Sequence, residues 1–296
     1  LKGIIKDYKM LTVNSLSGGK TSSYIAANYP ADLNVFALCC IDSHNANAHF
    51  KQRYKDEKMY QRVNDKLQKY CSNWPEFVAT SEDPQILWTM FDLEQMIGSE
   101  IIWVRGMGWE QMLSVKKAIP NMSKRFCTTI MKMQAIFDLL YCYFELPVKM
   151  RIGYRWDEME RAERFTETWK YATHCEYRPN SNTWIHRWKE IIWRFGEFPL
   201  VEDKIIHYLI QEFWKDKNIT FPIDSNCLNC FWKDSQQLRK NFDDHPPIMY
   251  WAAIMEQLQN RTFKDKNTLL EISKMGIQLD FLFGTGAGCQ AGFCTN

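Results

Sequence analysis

Over its first half the chain alternates between short apolar runs and longer segments of mixed character. The runs at 10–16 (MLTVNSL), 33–42 (LNVFALCCID), 76–80 (EFVAT), 100–106 (EIIWVRG) and 147–154 (PVKMRIGY) are rich in apolar, β-branched and aromatic residues. Runs of that length and composition predict buried strands. The segments between them, at 21–29, 50–70, 83–98 and 127–144, read as helices. Strands alternating with helices predict βαβ units, and so a parallel sheet covered on both faces.

After Arg155 the rhythm loosens. WDEMERAERF (156–165) reads as a short helix, while 166–193 is crowded with Trp and Tyr and follows neither period. Good helical spacing returns at 201–217, is broken by NITFPIDSN, and resumes as a helical pair over 233–260 before a Gly-rich tail. The chain contains no repeats and no low-complexity tract. These patterns predict a Rossmann-like α/β domain over 1–165 and a smaller, mostly helical, cysteine-containing portion over 166–296, packed together.

Composition narrows the function classes. With 37 Lys+Arg against 35 Asp+Glu the 296-residue chain carries a formal charge of +2, too neutral for a protein that mainly coats nucleic acid. The 46% hydrophobic and 24% charged content excludes disorder. VFALCCI (35–41) is too short to span a bilayer, so no membrane is expected. The opening residues lack the charged head, apolar core and cleavage site of a secretory signal, and Leu at position 1 suggests that a few residues precede it. The expected compartment is therefore the cytoplasm, where ten cysteines point to metal or catalysis before disulfides.

Three sets of residues carry candidate chemistry. Ser17-Gly18-Gly19-Lys20-Thr21-Ser22 lies between a predicted strand and a helix, where backbone N–H groups, hydroxyls and the helix N-terminus can cradle a phosphate. It is neither a Walker A loop nor a dinucleotide fingerprint. Lys20, Arg125, Lys132, Arg155 and Arg161 fall near predicted strand ends or helix starts and can converge on one anion, with Asp157 and Glu158 orienting them, holding Mg²⁺ or simply solvated at the surface. Cys227 and Cys230 form a C-x2-C pair and Cys289 and Cys294 a C-x4-C pair, 58 residues apart, a spacing that fits a tetrahedral thiolate site for zinc or an iron–sulfur cluster. Cys39 and Cys40 read as small buried hydrophobes, and Cys71, Cys142 and Cys175 have no partner spacing. The Trp-rich stretches at 184–193 and 212–214 read as packing before base stacking.

Taken together, the motifs resemble a known family. LTVNSLSGGKTSSY is similar to the PP-loop of the adenine nucleotide alpha hydrolase superfamily, usually S-G-G-x-D-S, with Thr21 where the ATP pyrophosphatases have Asp. More narrowly, the chain resembles the phosphoadenosine phosphosulfate (PAPS) reductase family and its phage-encoded and DNA-phosphorothioation relatives. Arg125-Phe126-Cys127-Thr128 with Lys132 is similar to that family's R-x-C-T-x-x-x-K, and Gly153-Tyr154-Arg155 with Asp157, Glu158 and Arg161 to its G-x-R-x-D-E-x-x-R. Ser225-Asn226-Cys227-Leu228-Asn229-Cys230 with Lys233 resembles S-N-C-x-x-C-x-x-K, and the segment from Cys289 to Cys294 resembles C-x-x-G-x-C, both of the phage branch.

The resemblance implies a HUP/PP-loop fold that binds an adenine nucleotide, ATP or a sulfonucleotide. Ser17, Gly18, Gly19, Lys20, Thr21, Ser22, Asp42, Gly153, Arg155 and Arg161 are the expected nucleotide ligands, with His44 and His49 following the strand that often contacts the base. It implies a [4Fe–4S] cluster on Cys127, Cys227 and Cys230, with Cys289 or Cys294 as fourth ligand, or else zinc on the two C-terminal pairs. As a reductase the protein would attack the sulfur of a sulfonucleotide with a thiolate and draw on a thiol electron donor. Cys127, Lys132, Arg155 and Cys294 are the expected catalytic residues, Cys289 or Cys294 standing in for the family's absent E-C-G-x-H tail. The alternatives are an ATP-dependent sulfurtransferase acting on a nucleic-acid or protein acceptor, and a non-catalytic nucleotide-binding protein.

Overall fold

A computed structural model of the chain describes residues 9–44, 46, 56–223 and 225–277. Strand β1 (Thr12–Leu16) leads through the Gly-rich loop into helix α1 (Lys20–Asn28), followed by β2 (Leu33–Leu38) and the short β3 (Cys40–Ile41). Helix α2 (Glu57–Cys71) begins where the Asp56 carboxylate accepts the Met59 N–H, satisfying one of the donors every helix start leaves open. Then come β4 (Ala79–Thr80), α3 (Gln85–Ile97), β5 (Ile101–Arg105) and α4 (Trp109–Lys116). A π-helical turn, Thr128–Met133, runs into α5 (Gln134–Tyr143), β6 (Val148–Arg151) and α6 (Met159–Glu163). The remainder is a hairpin of β7 (Thr168–Arg178) and β8 (Thr183–Ile192), strand β9 (Arg194–Glu197), and helices α7 (Pro199–Glu202), α8 (His207–Lys215), α9 (Ser235–Asp244), α10 (Pro246–Gln259) and α11 (Leu269–Ser273).

The central sheet has the order β5-β2-β1-β6-β9, and every neighbouring pair is parallel. The chain starts in the middle, winds outward through β2 and β5, then crosses back to lay down β6 and β9 on the other side. This is the doubly wound, Rossmann-like arrangement, and its strand order reverses between β1 and β6. Both faces are buried because alternate residues of each strand feed opposite layers. Phe36 and Leu38 pack with Ile25, Met90 and Trp103 on one face, while Val35 and Ala37 meet Phe137, Leu140 and Trp193 on the other. A third apolar cluster, including Trp109, Phe231, Trp251 and Phe263, ties the C-terminal helices to the α4 edge of the sheet.

The structure differs from the sequence pattern in three places. The run at 76–80 contributes only β4, which pairs antiparallel with β3 outside the main sheet. The unreadable segment at 166–193 is the β7–β8 hairpin. The sheet also runs across position 165, because its fifth strand, β9, comes from the portion expected to be mostly helical. Among the described residues no helix is long and apolar enough to cross a membrane.

Candidate functional site

A cavity of about 250 Å³ opens at the carboxyl ends of β1 and β6, where the strand order reverses. That position is where open α/β sheets hold ligands, since the loops on either side diverge there. The loop after β1 supplies one wall. Gly18 turns it with φ +74°, a left-handed conformation that costs any other L-residue, and a Cβ there would sit 2.2 Å from Ile86. Ser22 then folds back: its hydroxyl accepts the Ser17 N–H at 3.1 Å and donates to the Gly19 carbonyl at 3.1 Å. Helix α1 has no side-chain cap and no acidic residue in its first turn, so its N-terminus stays electropositive. Gly153, at the end of β6, lets that wall come close; a Cβ would lie 3.2 Å from Thr21.

Among the described residues, five cationic side chains line the cavity, Lys20, Lys132, Arg155, Arg161 and Arg194, against one carboxylate, Glu158. Lys20 is exposed and has no ion-pair partner among the described residues. Lys132 Nζ lies 2.7 Å from the fully buried Glu82. Arg155 is held by Asp157 at 3.0 Å and Glu158 at 3.3 Å, and Arg161 by Glu158 at 2.9 Å, so the two carboxylates orient the cations. Burial above all, then the nearby positive charges of Arg155 and Arg125, lowers the Arg161 pKa against the pull of Glu158. Arg125 itself packs over the Trp232 ring at 5.4 Å, with Nη2 buried and unbonded among the described residues.

Arg194 differs from the others. It is buried, donates to the Thr166 carbonyl and the Met150 sulfur, and has no carboxylate partner among the described residues. Its guanidinium lies over the rings of Phe165 and Trp193, at 4.1 and 4.5 Å. Burial drags its pKa down to about 10. A buried cation without a counter-charge is costly, and an anion entering the cavity would relieve that cost.

The thiols gather beside Lys132. Cys227 accepts a hydrogen bond from Ser81 Oγ at 3.0 Å and another from the Cys39 thiol. These contacts, the Cys39 bond first, lower its pKa, and the Lys132 charge adds to the effect. Cys39 is pushed up in return, by that bond and by burial. Burial likewise lifts Cys127 to about 11 and Cys230 to about 12. Among the described residues no three His, Cys, Asp or Glu side chains are gathered to hold an ion. Cys289 and Cys294 lie outside the described residues, as does His49.

Of the expected nucleotide ligands, Ser17, Gly19, Lys20, Thr21, Ser22, Gly153, Arg155 and Arg161 line the cavity together with the expected catalytic Lys132, and Gly18 lies just behind them. Asp42 does not join them. It pairs with the buried Arg105 at 2.8 Å and faces a separate hollow with His44 and Tyr60. Sequence reasoning missed Arg194, His207 and Gln211, which also line the cavity, and Cys39, Ser81 and Glu82 beside it. An arginine inside the apolar run IIWRF was the one available signal for Arg194. No protein family, curated protein or solved structure matches the chain.

Proposed function

We propose that the chain is a PP-loop enzyme resembling the PAPS reductases, one that binds an adenine nucleotide and acts on the activated sulfur it carries. The observation that supports this reading is convergence. Residues 17–22, Lys132, Gly153, Arg155, Arg161 and Ser225-Asn226 are scattered through the sequence, yet they line one cavity at the switch point of the sheet. These are the segments through which the chain resembles that family. In this reading the α1 N-terminus, Ser17, Ser22 and Lys20 hold a phosphate, because they offer donors and positive charge with no competing acid. Arg155, Arg161 and Arg194 hold a second anionic group, and Lys132 stands between it and the thiols.

Calorimetric titration with AMP, ATP and adenosine 5′-phosphosulfate tests the binding site. The expected outcome is binding that weakens about tenfold or more in Lys20→Ala, the size of one lost charge-assisted contact. Unchanged affinity in both Lys20→Ala and Ser17→Ala would remove the phosphate-loop assignment. Product analysis tests the reaction: sulfite from a sulfonucleotide supports reduction, whereas pyrophosphate from ATP transfers the site to the sulfurtransferase reading. Binding without either product identifies a nucleotide-binding protein.

A further inference from the structure

The β7–β8 ribbon carries side chains that its own packing does not use. In the hairpin register Tyr177 faces Trp184, Cys175 faces His186 and Ala172 faces Trp188, with an irregularity between Ala172 and His174 taking up the odd residue. Residues two apart on a strand share a face, and so do directly opposed partners, so all six lie on one side of the ribbon. Trp184 and Trp188 are 69% and 64% exposed, and Tyr177 is 43% exposed. Between these rings the Cys175 sulfur lies 3.2 Å from His186 Nδ1, and both residues are exposed. A two-stranded ribbon by itself is marginal in water, and this one presents a row of aromatic rings with two metal-ligating side chains at its middle.

We propose that Cys175 and His186 are one half of a tetrahedral Cys2His2 zinc site, completed by the same pair from a second copy of the chain packed against this face of the ribbon. Zinc takes thiolate and imidazole ligands at about 2.3 and 2.0–2.1 Å, and a tetrahedral angle then sets sulfur and nitrogen about 3.6 Å apart. The observed pair reaches that separation by opening about 0.4 Å, so the ribbon register has already brought the two donors together. The chain does not supply the remaining ligands. His174 faces Arg187 on the other side of the ribbon, with Nδ1 3.0 Å from Thr173 Oγ1, and Glu176 is paired with Arg187. Glu190 lies beyond Trp188 and is paired with Lys170 at 3.6 Å. Among the described residues no third ligand joins Cys175 and His186. A second copy brings one more thiolate and one more imidazole, which fills the four positions of a closed structural site, and its two thiolates neutralise the charge of the ion. Two-fold symmetry about the ion makes the contact self-complementary. It also covers Tyr177, Trp184 and Trp188, the aromatic rings that flank the donor pair, and exposed patches of this kind mark interaction surfaces.

The test uses the full-length chain, reduced, stripped of metal with a chelator and titrated with Co²⁺ and then Zn²⁺. Cysteines elsewhere in the chain also attract these ions, so the informative quantity is the difference between wild type and Cys175→Ser or His186→Ala, two exposed positions whose replacement leaves the core intact. Wild type should take up about half an equivalent of metal per chain more than either variant, and Co²⁺ should show the thiolate charge-transfer and intense visible bands of a tetrahedral site in that excess. Zn²⁺ should double the mass of wild type in sedimentation equilibrium and a chelator should reverse it, while both variants stay at their metal-free mass. Cys142→Ser, which removes another exposed thiol, should behave as wild type. Equal metal uptake in wild type and Cys175→Ser overturns the site. One extra ion per chain with no change in mass, or Zn²⁺-driven doubling that persists in both variants, overturns its sharing between two copies.

Discussion

Arg194 shows how much a single residue can say about a ligand. Its guanidinium is packed between aromatic rings, bonded to one carbonyl and one thioether, and lacks a carboxylate among the described residues. Desolvating a cation costs several kcal/mol unless a counter-charge compensates, so the side chain opposes folding in the empty site. Arg194→Met keeps the length and loses the charge. The variant should melt no lower than wild type without ligand, and should lose about tenfold to a hundredfold in affinity for AMP or adenosine 5′-phosphosulfate, the range of one hydrogen bond to a charged group. Thermal shift with and without nucleotide reads both effects. A variant that melts lower and binds unchanged would make Arg194 a purely structural cation.

At the scale of elements, two turns separate the cost of a left-handed backbone from the cost of close packing. Gly18 in the phosphate loop and Gly98 at the end of α3 both have positive φ, +74° and +62°, but a Cβ on Gly18 would run into buried Ile86 whereas one on Gly98 meets nothing within 4 Å. Gly98→Ala should cost about 1–2 kcal/mol in urea denaturation, the backbone term alone. Gly18→Ala should cost about 2–4 kcal/mol, because overpacking is added. Equal losses would show that the Ile86 side chain moves aside freely. The hairpin offers a similar contrast. At its base Trp169 stacks on Phe137 at 5.5 Å and lies 5.8 Å from Trp193, while Trp188 midway along and Trp184 near the tip are exposed. Replacing residues 173–187 by Asn-Gly, which joins the facing Ala172 and Trp188, should change stability by less than about 1 kcal/mol. Trp169→Ala should cost about 3–5 kcal/mol.

The same elements explain what could be read from sequence. Strands β1, β2 and β5 and the helices between them were legible because burial on both faces forces apolar runs of strand length, and β6 because its buried Val148 and Met150 alternate with more exposed residues. The hairpin was not, since a ribbon wet on both sides has no buried face to impose a period, and its Trp and Tyr residues obscured what remained. Strand β9 is only four residues long, and its place is fixed by pairing with β6, 46 positions earlier. The loop and the cations of the cavity were legible as local motifs. Periodicity placed Cys39 correctly in the interior, but no local pattern can report a hydrogen bond to a residue 188 positions away.

For the molecule as a whole, protonation and ligand binding are linked through His207. This histidine enters the cavity from α8, with Nε2 2.8 Å from Gln211 and Nδ1 buried without a partner among the described residues. Burial first, then the positive charges of Arg155 and Lys20, lower its pKa from 6.5, with Asp157 and Glu158 opposing. A lowered histidine pKa means the unfolded chain binds the proton more readily. His207 therefore withdraws stability from the empty protein as pH falls below 6.5, and has no such effect above it. An anion in the cavity reverses the balance of charge around the imidazole and raises its pKa. Binding below 6.5 should then take up a proton at His207, and affinity should strengthen on acidification. Bound phosphate titrates in the same range and releases protons as cations surround it, so the informative quantity is the difference between wild type and His207→Gln. Calorimetry at pH 6 in two buffers of different ionisation enthalpy should show more proton uptake per nucleotide in wild type, and the excess should vanish near pH 8. Identical proton uptake in the two proteins at pH 6 would place His207 outside the field of the bound anion, and with it the α8 side of the proposed site.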